Sequence, residues 1–179
     1  MHLLIVGGGY VGLEKLHAVI QNSPATKITL VATVISDAIK TIASAYPDIT
    51  LIEQPFDTAH LQDKDLVIVG INDKDISKLI YETAKAKGKL VNVADTPSLC
   101  DFYLSSVVQK GNLKIAISTN GKSPTVAKRV KEMLNDLIPE EIDELLHNIR
   151  SVRESMRGDF EEKVRQLNEL TKGLVNNKP

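Results

Sequence analysis

The chain has a single cysteine, Cys100, in 179 residues. No intramolecular disulfide can form, which fits a reducing compartment. No apolar run approaches the roughly 20 residues needed to cross a bilayer. Neither sign of charge is in excess: 22 Lys and Arg stand against 23 Asp and Glu, a formal net charge of −1. A chain so close to neutrality has no strong field to attract nucleic acid or an acidic membrane. The four histidines, His2, His17, His60 and His147, are scattered. With one cysteine they offer no metal-ligand spacing, so no metal site is expected. Met1-His2 leads directly into an apolar run and leaves no room for a signal peptide. A soluble cytoplasmic protein is expected.

A hydrophobic fraction of 42%, with Gly and Pro at ordinary levels, indicates a globular protein with a real core. The length fits one domain plus an appendage, or two small domains. The first part alternates strand and helix. Leu3–Val6 is a short apolar strand, followed by a helix from about Tyr10 to Gln21. Lys27–Thr33 is apolar and β-branched, a buried strand. Ser36 or Asp37 caps a helix that ends near Tyr46-Pro47. Ile49–Ile52, Leu66–Gly70 and Leu90–Ala94 read as three more strands, and Asp75–Lys87 as a helix closed by Gly88. This alternation predicts an α/β fold, a Rossmann-like parallel sheet with helices on both faces.

After Asp95-Thr96-Pro97 the pattern changes. Phe102–Gln109 and Leu113–Thr119 are strand-like and flank Lys110-Gly111-Asn112, which predicts an antiparallel hairpin. A helix then starts with Ser123 as N-cap and Pro124 at its first position. From Pro139 the chain is charged and helical. Ile142, Leu145, Leu146, Ile149, Val152 and Met156 form one apolar stripe. Gly158 breaks it, and a second helix runs from about Asp159 to Leu174. The stripe needs a cover, either the first domain or a second subunit. The tail Asn176-Asn177-Lys178-Pro179 is expected to fray.

Three places carry chemistry. The first is G-x-G-x-x-G at Gly7, Gly9 and Gly12, where the first strand turns into the first helix. Unpaired N–H groups at the positive end of that helix attract a pyrophosphate. Gly7 permits the tight turn, Gly9 admits the phosphates, and Gly12 lets helix and strand pack closely. A tight turn with no ligand is the competing reading. One usual part is missing: the second strand ends Val31-Ala32-Thr33-Val34, with no acid to grip a ribose 2′-OH and no cation for a 2′-phosphate. The second place is Asp95, at the C-terminal end of the fifth strand, where ligands collect in open α/β sheets. It can act as general acid or base, or simply cap the turn before Pro97. The third is the loop Ser118-Thr119-Asn120-Gly121-Lys122-Ser123-Pro124. It can cradle an anion, with Lys122 adding charge, or be no more than a well-capped helix start.

Together these stretches resemble one family, the precorrin-2 dehydrogenase / sirohydrochlorin ferrochelatase module that also forms the N-terminal part of siroheme synthase. The resemblance rests on Val6-Gly7-Gly8-Gly9-Tyr10-Val11 with Lys15, on Asn92-Val93-Ala94-Asp95-Thr96-Pro97, on Phe102 in the following strand, and on Ile117 through Pro124. The missing acid after the second strand is usual in that family. Two departures are Gly70-Ile71-Asn72-Asp73, where members often carry Ala-Thr-Asp-Asp, and Ser105 in place of a common proline.

The resemblance implies NAD-dependent oxidation of precorrin-2 to sirohydrochlorin. In many members ferrous iron is then inserted as a substrate to give siroheme. It implies a homodimer and three regions: an NAD-binding domain over 1–98, a hairpin–helix dimerisation region over 99–136 and a helical part over 137–179. Carried over by position, Gly7, Gly9, Tyr10, Val11, Gly12, Thr33, Val34, Gly70 and Ile71 would hold NAD. Asp95 would be the acid/base residue of both reactions. Ser118, Thr119, Asn120, Gly121, Lys122 and Ser123, with Lys128 near by, would meet the carboxylates of the tetrapyrrole. Thr119 falls where some members carry a phosphorylatable serine. Two alternatives stay open: a dehydrogenase without chelatase activity, and a non-enzymatic nucleotide-sensing module.

Overall fold

The structure, a computed structural model, describes residues 1–173. The chain divides into two compact units after Leu104. The first is a five-stranded sheet of β1 (His2–Val6), β2 (Lys27–Ala32), β3 (Ile49–Glu53), β4 (Leu66–Val69) and β5 (Leu90–Val93), in the order β3-β2-β1-β4-β5. Every pairing in it is parallel.

Alternate residues of the strands feed two cores, as a sheet covered on both faces requires. Leu4, Val6, Val31, Val67, Val69, Val91 and Val93 pack with Ile80 and Ala84 of α3 (Lys74–Ala86). Leu3, Ile5, Ile28, Leu30 and Ile68 face Leu16 and Val19 of α1 (Tyr10–Asn22) and Ile39 of α2 (Asp37–Ser44). The strand order turns back between β1 and β4. That switch point opens a crevice at the C-terminal strand ends, and it fixes where a ligand can lie.

The strands fall where the apolar runs predict, with ends shifted by a residue or so. β2 stops at Ala32, which leaves Thr33 and Val34 in the loop beyond. Gly88 closes α3 with φ +69. Between β3 and β4 lies a 3₁₀ turn, Thr58–Leu61. Asp57 and His60 cap it reciprocally, and it buries Leu61 completely.

The second unit starts with the hairpin of β6 (Ser106–Lys110) and β7 (Leu113–Ile117), in which Lys110 pairs with Leu113 across Gly111-Asn112. Gly111 takes φ +54, the left-handed region that two-residue hairpins demand. The expectation that the first hairpin strand begins at Phe102 is corrected. Asn92 Nδ2 donates to the Phe102 carbonyl at 2.8 Å, and Asp101 N donates to Val91 O at 2.7 Å. The chain there is tied to β5, so the ladder begins only at Ser106.

Three helices follow: α4 (Pro124–Leu137), α5 (Ile142–Ser155) and α6 (Phe160–Thr171). Asp143 of α5 clips the hairpin turn by accepting from Asn112 N at 2.7 Å and Asn112 Nδ2 at 2.8 Å. Lys110 is buried and pairs with Glu140. Gly158, at φ +119, separates α5 from α6, and Asp159 caps α6 through Glu162 N. No residue of α5 or α6 is fully buried, and Leu146, Val152, Phe160 and Leu170 are exposed. Leu174 and the tail from Asn176 lie outside the described residues.

Candidate functional site

The glycines divide the work at the end of β1. Gly7, at φ +132, lies so close to β4 that a Cβ there would meet Gly70 O at 2.3 Å. A Cβ on Gly12 would meet Gly7 O at 2.0 Å, and one on Gly8 would meet Val34 O at 2.1 Å. A Cβ on Gly9 would meet nothing within 4 Å. Three glycines are thus consumed by backbone packing, and Gly9 leaves open space at the mouth. Gly9 is the N-cap of α1, and the first turn of that helix carries no acidic residue. The positive end of the dipole is uncompensated there.

Cross-links hold the crevice in shape. Gly7 N donates to Val31 O at 2.9 Å, Gly70 N to Val6 O at 2.8 Å, and Ser36 N to Gly8 O at 3.0 Å. Val11 packs against Gly70. Tyr10 and Val34 are 81% and 73% exposed, large apolar surfaces left at the mouth. Ser36 Oγ is buried and has no hydrogen-bond partner among the described residues. An unpaired buried hydroxyl is uncommon and calls for a cause. The open cradle, the free helix end and this spare polar atom fit a dinucleotide.

Glu53 is a residue that sequence reasoning missed. It ends β3 and pairs in register with Ala32 of β2. Its Oε1 accepts from Ile35 N at 2.9 Å, and its Oε2 lies 3.1 Å from Lys40 Nζ. The Ile35 N–H, and then Lys40, hold its carboxyl below the ordinary glutamate range. Only strand register could have placed this acid beside the end of β2.

Asp95 lies just beyond β5 with φ +57, on the edge that carries the glycine cradle. A non-glycine residue in the left-handed region is uncommon, and such strain concentrates at functional sites. Ala94 N donates to Val69 O at 2.9 Å, which carries the sheet up to Asp95. The chain after it is fastened back to β5. The buried Asn92 reaches Phe102 O, Cys100 Sγ donates to Val93 O at 3.2 Å, and Asp101 accepts from Val91 N at 2.8 Å and Lys85 Nζ at 2.8 Å. Residues 95–99 form a short excursion with fixed ends.

The bond from Lys85, aided by the Val91 N–H, holds the Asp101 carboxyl below the usual aspartate range. A depressed folded-state value contributes stability above the unfolded value, and that stability is lost as pH falls through the folded value. Asp101→Asn is therefore expected to lower Tm at neutral pH, with the gap to wild type closing as the buffer is taken into the acid range. Parallel melting curves across pH check this. A constant gap would show that Asp101 acts without its charge.

The loop between β7 and α4 belongs to the second unit. Thr119 Oγ1 donates to Ser123 O at 3.0 Å and accepts from Ser123 N at 3.1 Å. Ser118 Oγ accepts from Asn120 N, Lys122 N donates to Thr119 O, and Ser123 Oγ caps Val126 N. Asn120 and Gly121 both take positive φ, 51° and 75°. The Thr119 hydroxyl and the Ser123 cap are spent on the loop's own shape. The Lys122 side chain is exposed. Gly7, Gly9, Tyr10, Val11, Gly12, Thr33, Val34, Gly70, Ile71 and Asp95 all belong to the C-terminal edge of the first unit's sheet. Ser118 through Ser123 belong to the other unit. Among the described residues no group of three or more His, Cys, Asp or Glu is placed to hold a metal, and no helix is long and apolar enough to cross a membrane.

The fold and cradle define a Rossmann-type dinucleotide-binding protein. Residues 1–106 match the family described as "Putative NAD(P)-binding", and the chain belongs to that family. Residues 110–137 match a second model, "Sirohaem biosynthesis protein central". Together the matches are those of the N-terminal module of siroheme synthase, the resemblance seen in the sequence.

Siroheme synthase of Nitrosomonas europaea is 30% identical over 88% of this chain and 33% of its own length. That of Pseudoalteromonas translucida is 34% identical over 92% of this chain and 32% of its own. The chain thus spans about a third of these relatives. Among solved structures, "SirC, precorrin-2 dehydrogenase" superposes with a TM-score of 0.72 and 23% identity, covering 98% of this chain and 85% of that one. The likeness establishes a shared fold, Rossmann sheet, hairpin and C-terminal helices included.

Proposed function

We propose that this chain is an NAD-dependent dehydrogenase that oxidises precorrin-2 to sirohydrochlorin. The observation that carries the reading is one sheet edge bearing both a cradle that fits a dinucleotide and a carboxylate on a left-handed backbone, Asp95. The two family matches and the siroheme synthase relatives support the substrate class. When bound, NAD accepts the hydride. The α1 N-terminus and Gly9 hold the pyrophosphate, Tyr10 and Val11 border it, and Thr33 and Val34 take the adenosine end. Gly70 and Ile71 border the cofactor beyond the switch point. The substrate loses a hydride and a proton, and the Asp95 carboxylate takes the proton. The exposed side chains of Lys122, in the Ser118–Ser123 loop, and of Lys128 meet substrate carboxylates.

Ferrous iron insertion follows as the second reaction. Two pyrrole protons leave as Fe²⁺ enters, and Asp95 relays them, with iron as substrate. The working unit is a cytoplasmic homodimer, the second copy covering the exposed apolar residues of α4, α5 and α6. The working division is a cofactor domain over 1–98, a dimerisation region over 99–136 and a helical part over 137–179.

Anaerobic incubation with precorrin-2 and NAD⁺ should give one NADH per sirohydrochlorin, read by absorbance. NAD binding without turnover would leave a nucleotide-sensing module. Adding sirohydrochlorin with Fe²⁺ or Co²⁺ should give metal insertion faster than the spontaneous reaction. Only the spontaneous rate would restrict the chain to dehydrogenation.

A further inference from the structure

The β2 strand ends without the acid that usually grips the ribose 2′-OH, yet the structure supplies one from the neighbouring strand. We infer that Glu53 is the residue that selects a free 2′-hydroxyl over a 2′-phosphate, making the site one for NAD and not NADP. This rests on the dinucleotide reading of the cradle. Glu53 is at the C-terminal end of β3, in register with Ala32, the last residue of β2. In a doubly wound sheet the adenosine ribose lies beyond the end of β2. The turn that borders this place, Thr33-Val34-Ile35, is held by Glu53 itself through the 2.9 Å bond from Ile35 N.

The carboxylate has room for more. A carboxylate offers about four acceptor sites. The Ile35 N–H takes one on Oε1, and Lys40 Nζ lies between the two oxygens, 3.4 Å from Oε1 and 3.1 Å from Oε2. The side chain is 44% exposed, so its free acceptor positions reach solvent. A ribose hydroxyl can donate to them. A 2′-phosphate cannot donate there and brings negative charge against negative charge. Among the described residues Lys40 is the cation that pairs with this acid, and the pairing withholds it from an incoming phosphate. One carboxylate thus does three things: it holds the turn, accepts from the ribose and occupies the neighbouring cation.

The test uses the full chain, titrated with NADH and with NADPH by fluorescence. Wild type should bind NADH more tightly. Glu53→Gln keeps an acceptor for Ile35 N, removes the charge and frees Lys40. The ratio of the two dissociation constants should shift toward NADPH by about ten-fold or more, with a small fall in Tm at neutral pH from the lost Lys40 pairing. Adding Lys40→Ala to Glu53→Gln should cancel the gain in NADPH affinity. An unchanged ratio in Glu53→Gln, or an equal loss for both dinucleotides, overturns the selecting role and leaves the cofactor reading intact. A wild-type chain that binds neither overturns both.

Discussion

Asp95→Asn should lower the rate of NADH formation from precorrin-2 by about 10²- to 10⁴-fold, the usual worth of a positioned acid or base. Asparagine is the informative substitution. Asp95 has φ +57, and Asn tolerates that region better than other side chains. The backbone after β5 then keeps its shape, and the carboxylate alone is lost. Alanine at that φ adds strain of about 1–2 kcal/mol and confounds loss of chemistry with local rearrangement. Dinucleotide affinity should be unchanged, because the cradle is built from β1, β4 and α1 and draws nothing from Asp95. Iron insertion should fall in the same variant if one carboxylate serves both reactions. Full dehydrogenation by Asp95→Asn would return Asp95 to the role of a turn residue before Pro97.

The second large effect is a contrast between two glycines three residues apart. Gly12→Ala places a Cβ 2.0 Å from Gly7 O, a backbone atom that cannot rotate away. Helix α1 must be pushed off β1, at a cost on the order of 1–3 kcal/mol or more. Tm should fall by roughly 2–4 °C for each kcal/mol in a chain of this size. Gly9→Ala meets nothing within 4 Å, so Tm should fall far less, by no more than the loss of a glycine N-cap. Its methyl group projects into the open cradle, and dinucleotide affinity should fall by at least about ten-fold, equivalent to ~1.4 kcal/mol. Thermal melts and cofactor titrations on the same preparations separate the two effects. Unchanged dinucleotide binding in Gly9→Ala would remove the cradle as the cofactor site.

Much of the fold was legible because it is written in local pattern. Short apolar runs such as Leu3–Val6 and Leu66–Val69 are buried on both faces of a parallel sheet, and that burial leaves no polar alternation to confuse the reading. Gly88, Ser123, Gly158 and Asp159 announced helix ends through their own backbone or side-chain chemistry. The hairpin's first strand was misplaced because the residues around Phe102 are held by Asn92, ten positions earlier, in preference to a ladder partner. Such a competition between two hydrogen-bonding destinations has no local signature.

The sequence by itself determined the order of strands and helices, the glycine turn and the family to which the chain belongs. These follow from residue spacing along the chain. Tertiary structure alone decided which glycines are spent on packing and which one faces a ligand, because that depends on Gly70 and Val34, from the loops that follow other strands. It also decided that Asp95 sits in a strained conformation on the cradle's edge. Finally, it set Glu53 beside the end of β2, where no acid follows in sequence: parallel register brings residues 21 positions apart, Ala32 and Glu53, side by side.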